Sequence, residues 1–600
     1  MKANKKILLW PIIFALGFIP MIVHMKTYNS HLGQFDWFPS DSDTQTDFFL
    51  YYKMIAIITV AVIMLVILIY QCLTHSKVFK WHTSFYALGA YGLLAILSAV
   101  FSDYKYFVLH GSYELFESIL VVIGYVILCF YTFQMVKTEE DTRYVLQFAA
   151  IGIGIITLIG FLQYLGLDFF RTNIGKRLIT NPSYWPQVNE LSFTFPLRTS
   201  YTTLYNTNYL SFYFGLLIPI VVLLFVFSKT IREKIFYAIA SGIMLLTLIG
   251  SNSKSALLAL GITAVLGAIL LYRYLKRYWW VFAVIFAAIV IMMASYAHRI
   301  GGASVLFQLF FKGINVSSMD ENPIKDVQTN DNDIVMKIND RELHIEYAAD
   351  MESGYVQVFL SDENGNPLNY NYDDAALSYT LEDPEFENCS ITPMYVADRI
   401  GLVVLVADQQ WYFVKLEDDS YYYYNLYGKV TKIHKNEKST FFRDGILSGR
   451  GMIWNNLIPK LKNKFLLGSG ANTFMMEYPQ DNYVYRSYAN SFGLFDVKAH
   501  CFYFQQWLEN GLLALLSVIA FYILYFVESF KIYIKIKNNN FSSAVGLGIY
   551  LGSFCYMICA ITNDSNVNTA PVFWCLMGLG IAINQMVKKT PELFEKNITQ

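Results

Sequence analysis

Long apolar segments are the feature that most constrains what this chain can fold into. A helix that crosses a bilayer needs about 20 mostly apolar residues, because hydrocarbon offers the backbone no hydrogen-bond partner. The segments that approach this length lie near residues 7–23, 50–73, 84–101, 118–136, 144–165, 208–228, 235–250, 256–272, 279–296, 507–529, 542–561 and 571–587. The sequence therefore predicts a mainly α-helical membrane protein with about 12 transmembrane helices.

Composition agrees with a protein that faces lipid. Only 15% of the 600 residues are charged and 55% are hydrophobic, whereas soluble proteins carry about 25% charged residues. The 45 basic and 46 acidic residues nearly balance, so the chain lacks the basic excess of a nucleic-acid-binding protein. Of the seven cysteines, only Cys389 and Cys501 lie in polar sequence, which allows at most one disulfide.

Basic residues indicate the orientation, because Lys and Arg collect in cytoplasmic loops. With the N-terminus inside, most loop lysines and arginines fall on the cytoplasmic side. The short outer loops then hold only Lys26, Lys105, Arg171, Lys176, Arg177, Arg198 and Lys254. We therefore expect a multi-pass protein of the cytoplasmic membrane, with both termini in the cytoplasm and residues 297–506 outside.

The predicted spans divide the chain into four parts. Residues 1–296 carry spans one to nine, and 507–600 carry the last three spans and a cytoplasmic tail. Residues 297–437 form an outer insert, within which about 318–437 alternate apolar and polar residues in the manner of β-strands. Residues 438–506 return to helical spacing. We expect a small β-domain in the large outer loop, followed by a helical outer segment.

Arg450 is the first residue that could bind an anionic substrate. It lies in Leu447-Ser-Gly-Arg-Gly-Met-Ile-Trp454, between a flexible Ser-Gly pair and a helical stretch, with Arg443 nearby. A guanidinium group stays charged and holds phosphate oxygens in a bidentate manner. The alternative is a cationic face that rests on anionic lipid headgroups.

His500 precedes an apolar segment, in Lys498-Ala-His-Cys-Phe-Tyr-Phe504. The predicted topology places it at the outer membrane interface. A neutral imidazole there can accept a proton from a sugar hydroxyl. A hydrogen-bonded packing role is the alternative.

Polar residues at two further span ends are candidate ligands. Asn206 and Asn208 open the sixth span, where they either bind hydroxyls or cap the helix. Lys254 lies in a short outer turn, where it either meets phosphate or extends to the interface. In the first outer loop, Asp36, Asp41, Asp43 and Asp47 are irregularly spaced, which favours a solvated loop over a site for a hard cation.

Several motifs occur in a fixed order along the chain. They are Tyr205-Asn-Thr-Asn-Tyr209, Pro219 in the next span, Ser251-Asn-Ser-Lys-Ser255, Ser448-Gly-Arg450 with Trp454, Gly468-Ser-Gly470, Ala499-His500 and Glu509-Asn-Gly511. Together with the span count, they resemble the O-antigen ligase and O-antigen polymerase (Wzy-type) superfamily of polytopic membrane glycosyltransferases. The resemblance runs from about 200 to 580, and His110-Gly-Ser-Tyr-Glu114 extends it upstream. The β-domain is not part of the common pattern.

The resemblance implies a GT-C-like, metal-independent inverting glycosyltransferase without a cofactor, in a bacterial membrane. The implied donor is a polyprenyl-diphosphate-linked oligosaccharide, and the acceptor is a hydroxyl of a glycan or lipid. Arg450 would bind the diphosphate with Arg443 and Lys254, His500 would assist the attacking hydroxyl, and Asn206, Asn208 and Trp454 would contact substrate. Lys254 stands where the family commonly has Arg, and Cys501 stands where Asn often follows the His.

Two other functions are compatible with the sequence. One is a transporter or flippase for lipid-linked glycans, although the spans contain few of the internal charges that line a transport path. The other is a membrane-anchored sensor with a β-rich ectodomain, which would not need so many spans. Besides membrane lipids, a chain-length regulator or a flippase is a candidate partner. Polymerase and ligase activity both remain open.

Overall fold

A computed structural model gives the architecture of the chain. It describes residues 6–39, 43–74, 79–272, 287, 323–349, 356–435, 439–488 and 495–594. The predicted span at 279–296 lies outside these ranges apart from Ala287. In the described ranges the chain is mainly helical with a separate β region, as predicted.

The long apolar helices follow the predicted apolar segments, and shorter helices lie between them. In chain order they are α1 Trp10–Met21, α2 Tyr51–Leu73, α3 Ser84–Val100, α4 Lys105–His110, α5 Ile119–Met135, α6 Glu139–Tyr164, α7 Asn173–Ile179, α8 Thr207–Phe227, α9 Ile231–Gly250, α10 Lys254–Leu270, α11 Ile446–Leu461, α12 Phe474–Glu477, α13 Tyr483–Tyr488, α14 Phe502–Asn510, α15 Leu512–Tyr533, α16 Phe541–Cys559 and α17 Ala570–Lys588. Within the described ranges, α2, α6, α8, α9, α15, α16 and α17 are long and apolar enough to cross a membrane. Helices α1, α3, α5 and α10 are apolar but shorter.

The tenth predicted span, 507–529, begins later in the structure. Gly511 separates α14 from α15 with a backbone φ of 90°, a conformation that glycine adopts without the strain of a side chain. A Cβ at this position would come within 2.7 Å of the carbonyl oxygen of Leu466. The apolar helix therefore starts at Leu512, and α14 is a separate short helix.

Glycines allow close packing of the long helices. A Cβ at Gly552 of α16 would lie 2.1 Å from the carbonyl oxygen of Leu216 in α8. A Cβ at Gly578 of α17 would lie 2.1 Å from the carbonyl oxygen of Cys129 in α5. Small residues let helix backbones approach closely, which is how apolar helices gain packing energy in a membrane.

The loops at one end of the helix bundle are joined by hydrogen bonds. Ser565 Oγ, between α16 and α17, donates to Glu117 Oε1 before α5 (2.8 Å). The hydroxyl of Tyr205, before α8, donates to Glu114 Oε1 (2.9 Å). The backbone N–H of Ser200 donates to the carbonyl of Gly250 at the end of α9 (2.9 Å). We call this the upper end, formed by loops 101–118, 199–206, 251–253 and 560–569.

The β region confirms the predicted alternation. Its strands are β3 Ile324–Thr329, β4 Ile334–Ile338, β5 Arg341–Ala349, β6 Val356–Ser361, β7 Tyr370–Asp373, β8 Ser378–Leu381, β9 Cys389–Val396, β10 Arg399–Val406, β11 Gln409–Lys415, β12 Tyr421–Tyr424 and β13 Val430–Thr431. In the described residues they form antiparallel sheets of four and seven strands, in the orders β3-β4-β5-β6 and β13-β12-β11-β10-β9-β8-β7. Val406 pairs with Gln409 at the hairpin between β10 and β11. Buried side chains such as Leu402, Trp411 and Phe413 belong to a core separate from that of the helices.

The β region is attached to the first loop of the bundle, which carries strands β1 Lys26–Asn29 and β2 Thr44–Asp47. Lys429 Nζ donates to the carbonyl oxygens of Gly33 (2.6 Å) and Phe35 (2.7 Å). Asn425 Nδ2 donates to the carbonyl oxygen of Asp36 (2.8 Å). These bonds hold the β region at the upper end.

Candidate active site

His500 lies at the upper end, on the segment that leads into α14. Its backbone φ is 50°, in the left-handed region that non-glycine residues seldom adopt. Neighbouring bonds hold this conformation: Trp454 Nε1 donates to the carbonyl of Ala499 (3.0 Å), and the N–H of Phe502 donates to the carbonyl of Asn563 (2.9 Å). The segment is thus fixed between α11 and the α16–α17 loop.

Asp564, from the α16–α17 loop, faces the His500 ring. Its Oδ2 lies 3.5 Å from His500 Nδ1, and its side chain is 1% exposed. Its Oδ1 accepts the N–H of Cys501 (3.1 Å). A carboxylate beside Nδ1 favours the tautomer with the proton on Nδ1, which leaves the lone pair on Nε2. Protein encloses about two-thirds of the His500 side chain, and the remaining 33% exposure leaves the imidazole available to a substrate.

Arg450 reaches the same loop from the first turns of α11. Its Nη1 donates to the carbonyl of Leu447 (2.8 Å), and its Nη2 lies 3.5 Å from Asn563 Oδ1. Its Nε is buried and has no hydrogen-bond partner among the described residues. A buried donor without a partner is unfavourable unless a ligand accepts from it. The guanidinium group therefore suits an anionic ligand.

Lys498 adds a second cation that the sequence analysis did not single out. It is buried, and its Nζ lies 2.9 Å from the hydroxyl of Tyr209. Burial disfavours its charge, but interactions with Tyr209, Glu114 and Asp564 raise the pKa of Lys498 above its usual value. Lys498 therefore stays protonated at neutral pH.

Burial and the neighbouring charges together determine the protonation state of His500. Burial lowers the pKa of His500 well below its usual value, and the positive charges of Lys498 and Arg450 lower it further. Burial raises the pKa of Asp564 to about 6, although Lys498 and Arg450 oppose this shift. At neutral pH the site thus combines a neutral imidazole with an ionised Asp564 and two cations.

The remaining predicted polar residues occupy the rim of this cluster or support nearby helices. Lys254 begins α10, next to Ser255, whose Oγ accepts from Asn563 Nδ2 (3.4 Å). Asn206 caps α8, because its Oδ1 accepts the N–H of Asn208 (2.8 Å). Asn208 is half-buried in the first turn of α8. From this motif it is Tyr209 that contacts the site, through Lys498.

Trp454 and Arg443 differ in their surroundings. Trp454 is buried, and its ring packs against Phe442 and Phe504, with centroids 5.1 and 5.5 Å away. It supports the His500 segment through the bond to Ala499 described above. Arg443 is exposed just before α11.

Glu117 extends the polar network beneath Asp564. It accepts from Tyr125 Oη (2.7 Å) and Ser565 Oγ (2.8 Å). Burial raises its pKa to about 7. Asp564 and Glu117 were both missed by the sequence analysis. The signal for Asp564 was Asn563-Asp-Ser-Asn-Val-Asn-Thr569, an unusually polar stretch between two apolar spans.

Asp43 and Asp47, in the loop between α1 and α2, accept hydrogen bonds from nearby residues. Asp43 Oδ1 accepts from Ser30 Oγ and from the N–H of Gly33, each at 2.9 Å. Asp47 Oδ2 accepts the N–H groups of Leu50 and Tyr51, where α2 begins. Asp41 lies outside the described residues. Across the described ranges, no group of three His, Cys, Asp or Glu residues is arranged to hold a metal ion. All seven cysteines lie in those ranges as free thiols, so Cys389 and Cys501 are not paired.

A search against known protein families, curated proteins and solved structures finds no match to this chain. The case for its function therefore rests on the site itself.

Proposed function

We propose that this chain transfers a glycan from a polyprenyl-diphosphate carrier to an acceptor hydroxyl, on the outer face of the cytoplasmic membrane. The observation that carries the proposal is the cluster of His500, Asp564, Arg450 and Lys498 at one end of a bundle of apolar helices. The cluster supplies a neutral base beside two cations, which is what transfer from a diphosphate donor requires.

In the proposed reaction the acceptor oxygen attacks the anomeric carbon of the donor sugar. His500 Nε2 takes the hydroxyl proton, and the ionised Asp564 stabilises the imidazolium that forms. The new glycosidic bond forms as the bond between the anomeric carbon and the diphosphate oxygen breaks. This single displacement inverts the anomeric configuration.

The polyprenyl diphosphate leaves with its negative charge increased. Arg450 and Lys498 stabilise that charge in a buried setting, where Coulombic interactions are stronger than in water. Lys254 and the exposed Arg443 contribute at the rim. Because the bound diphosphate offsets the positive charge around His500, it raises the pKa of the imidazole and makes it a stronger base in the complex.

We further propose a topology of twelve spans with the upper end outside. The opposite end of the helix bundle, which we call the lower end, carries the basic residues of the predicted cytoplasmic loops, among them Lys80, Arg143, Lys531 and Lys588. Because lysine and arginine collect in cytoplasmic loops, this excess of basic residues supports a cytoplasmic location for the lower end. The predicted span at 279–296 would bring the chain back to the outside before the β region.

The decisive experiment incubates the purified protein in nanodiscs with a synthetic polyprenyl-diphosphate oligosaccharide. Mass spectrometry of glycan and lipid products then separates the candidates. Longer glycan chains indicate a polymerase, and transfer to an added acceptor indicates a ligase. Movement of the donor across vesicles without new glycosidic bonds would instead establish a transporter and overturn the proposal. Binding without either outcome would favour a sensor.

A further inference from the structure

A polar cavity of about 510 Å³ lies away from His500, where three distant segments of the chain meet. The first outer loop contributes Phe35 and Asp36, the end of the β region contributes Lys432, and the region after α12 contributes Tyr478 and Asp481. Neither the resemblance nor the proposed reaction assigns a role to this cavity.

Hydrogen bonds fix the walls of the cavity relative to one another. The loop residues Phe35 and Asp36 are tied to the β region by Lys429 and Asn425, as described above. Asn425 Nδ2 also donates to the hydroxyl of Tyr483 (3.0 Å), in the region after α12 that forms the third wall. A preformed cavity binds a flexible ligand with a smaller loss of entropy than walls that must first assemble.

The lining is suited to a ligand with many hydroxyl groups. Phe35 is half-buried and stacks on Trp37 with centroids 5.1 Å apart, whereas the rings of Tyr478 and Tyr483 are buried in the wall, with 4% and 2% exposure. The accessible ring of Phe35 offers an apolar platform to the C–H face of a sugar ring. Carboxylate, amide and imidazole groups from Asp36, Asp481, Gln34 and His434 supply hydrogen-bond donors and acceptors beside it.

The charges of the lining argue against a polyanion. Lys432 is paired with Asp331 (2.6 Å), and Glu477 is paired with Lys464 (3.3 Å). The two negative charges of Asp36 and Asp481 then exceed the single positive charge of the remaining lysine, Lys460. A chain of uncharged or sparsely charged sugars is the ligand that this balance favours.

Helix α11 connects the cavity to the candidate active site. Arg450 lies near its first turn and Lys460, which lines the cavity, lies near its last. At 1.5 Å per residue the two positions are about 15 Å apart along the helix. Asn456, on the same helix, accepts from Asn482 Nδ2 (3.2 Å) and so joins α11 to the third wall.

We propose that this cavity binds the sugar chain of the glycan at a distance from the reacting end. The proposal rests on the proposed function, since it assumes that the substrate is a glycan. A glycan whose diphosphate end is held at Arg450 would extend along α11 to the aromatic lining. The β region, which the resemblance leaves without a role, then completes the binding site for the substrate.

The test uses the full chain in nanodiscs and size-fractionated surface polysaccharide from the cells that produce it. Hydrogen–deuterium exchange should show protection at residues 34–37, 431–434 and 476–483 on addition of the polysaccharide. Saturation-transfer NMR titrations should show binding weakened roughly three- to tenfold in Phe35→Ala, because an aromatic contact is lost. Asp36→Asn keeps the side-chain volume and should also weaken binding.

Matched controls lie on the exposed surface of the β region. Tyr395 is 74% exposed in β9, and Asp408 is exposed in the β10–β11 hairpin. Tyr395→Ala and Asp408→Asn should bind like wild type. Unchanged binding in both Phe35→Ala and Asp36→Asn, no binding to wild type, or protection confined to other segments would each overturn the inference.

The inference and the proposed function fail in different ways. His500→Gln should retain polysaccharide binding at the cavity while it loses transfer. Normal transfer by His500→Gln would contradict the catalytic proposal and leave the cavity result standing. Normal polysaccharide binding by the cavity variants, with transfer intact in wild type, would contradict only the cavity. Thermal unfolding of each variant excludes a general loss of structure.

Discussion

His500 and Asp564 come from loops on either side of α14, α15 and α16, and their Nδ1 and Oδ2 atoms lie 3.5 Å apart. The same carboxylate accepts the N–H of Cys501, so Asp564 orients both the ring and the backbone of the His500 segment. The candidate base and the residue that positions it are therefore parts of one arrangement.

His500→Gln tests the base directly. Glutamine preserves some hydrogen bonding but cannot accept the hydroxyl proton, so transfer should fall by about 10²–10⁴-fold. Donor binding and product formation are measured on the same preparations. His110→Gln is the matched control, since His110 is exposed at the upper end and stacks on Tyr106. Full product formation by His500→Gln would exclude a general-base role.

Asp564→Asn tests the positioning role. The amide cannot stabilise an imidazolium, so kcat should fall roughly ten- to a hundredfold, the range for a lost charged hydrogen bond. The KM for the donor should change less, because Asp564 does not contact the diphosphate in the proposed complex. Asp43→Asn, which alters a carboxylate bonded to Ser30 and Gly33 in the first loop, is the control. A change in KM alone would argue against positioning of His500.

Arg450→Ala should reduce transfer by at least ten- to a hundredfold, because a charged hydrogen bond to phosphate is lost. Arg450→Lys should recover only part of it, since lysine lacks the planar fork. Arg443→Ala should have a smaller effect, because Arg443 is exposed at the rim. The control is Arg177→Ala, another exposed arginine of a predicted outer loop. Wild-type turnover in Arg450→Ala, at normal protein levels, would show that Arg450 makes only a surface or lipid contact.

The proposed topology is open to chemical labelling. Single cysteines at Tyr395 and Asp408, in a cysteine-free background, should react with an impermeant maleimide in intact cells or spheroplasts. A cysteine at Lys588, which is exposed at the lower end, should react only after the membrane is permeabilised. The reverse pattern would contradict the assignment of the upper end to the outside.

Sequence reasoning located the helices better than the site. Segment length and apolar content identified α2, α8 and α17 nearly to the residue, because a span is a local property of the chain. The break at Gly511 was not predicted, since it depends on the carbonyl of Leu466 that a side chain there would meet. Alternation predicted the β-domain at about 318–437, but it carries no information on which strands share a sheet.

The candidate site was predicted only in part for a similar reason. Arg450 and His500 stand out by residue type and by their place beside apolar segments. Asp564 and Lys498 gain their roles from contacts between distant loops, with His500 and Tyr209 respectively. Burial of a lysine beside a tyrosine is a tertiary property, and a lysine just before a span otherwise favours a headgroup contact.

The pH dependence of transfer should separate free enzyme from complex. Transfer needs neutral His500, and burial together with Lys498 and Arg450 lowers the pKa of that imidazole well below its usual value. Transfer also needs ionised Asp564, whose pKa is raised by burial to about 6. We therefore expect kcat/KM to hold its plateau near neutral pH and to fall as the pH drops through about 6, with protonation of His500 adding to the loss in more acidic solution. In the complex the diphosphate offsets the cations and raises the pKa, so the acid limb of kcat should lie at higher pH.

Lys498→Met provides the matched test of that explanation. It removes one positive charge near His500 and Asp564 while keeping a long side chain, so the pKa values of both groups should rise and the acid limb of kcat/KM should move to higher pH. Lys105→Met, at an exposed lysine of the same end, should leave the limb in place. An acid limb that stays fixed in Lys498→Met, or that moves to lower pH, would show that the charge of Lys498 does not act on the pair of His500 and Asp564.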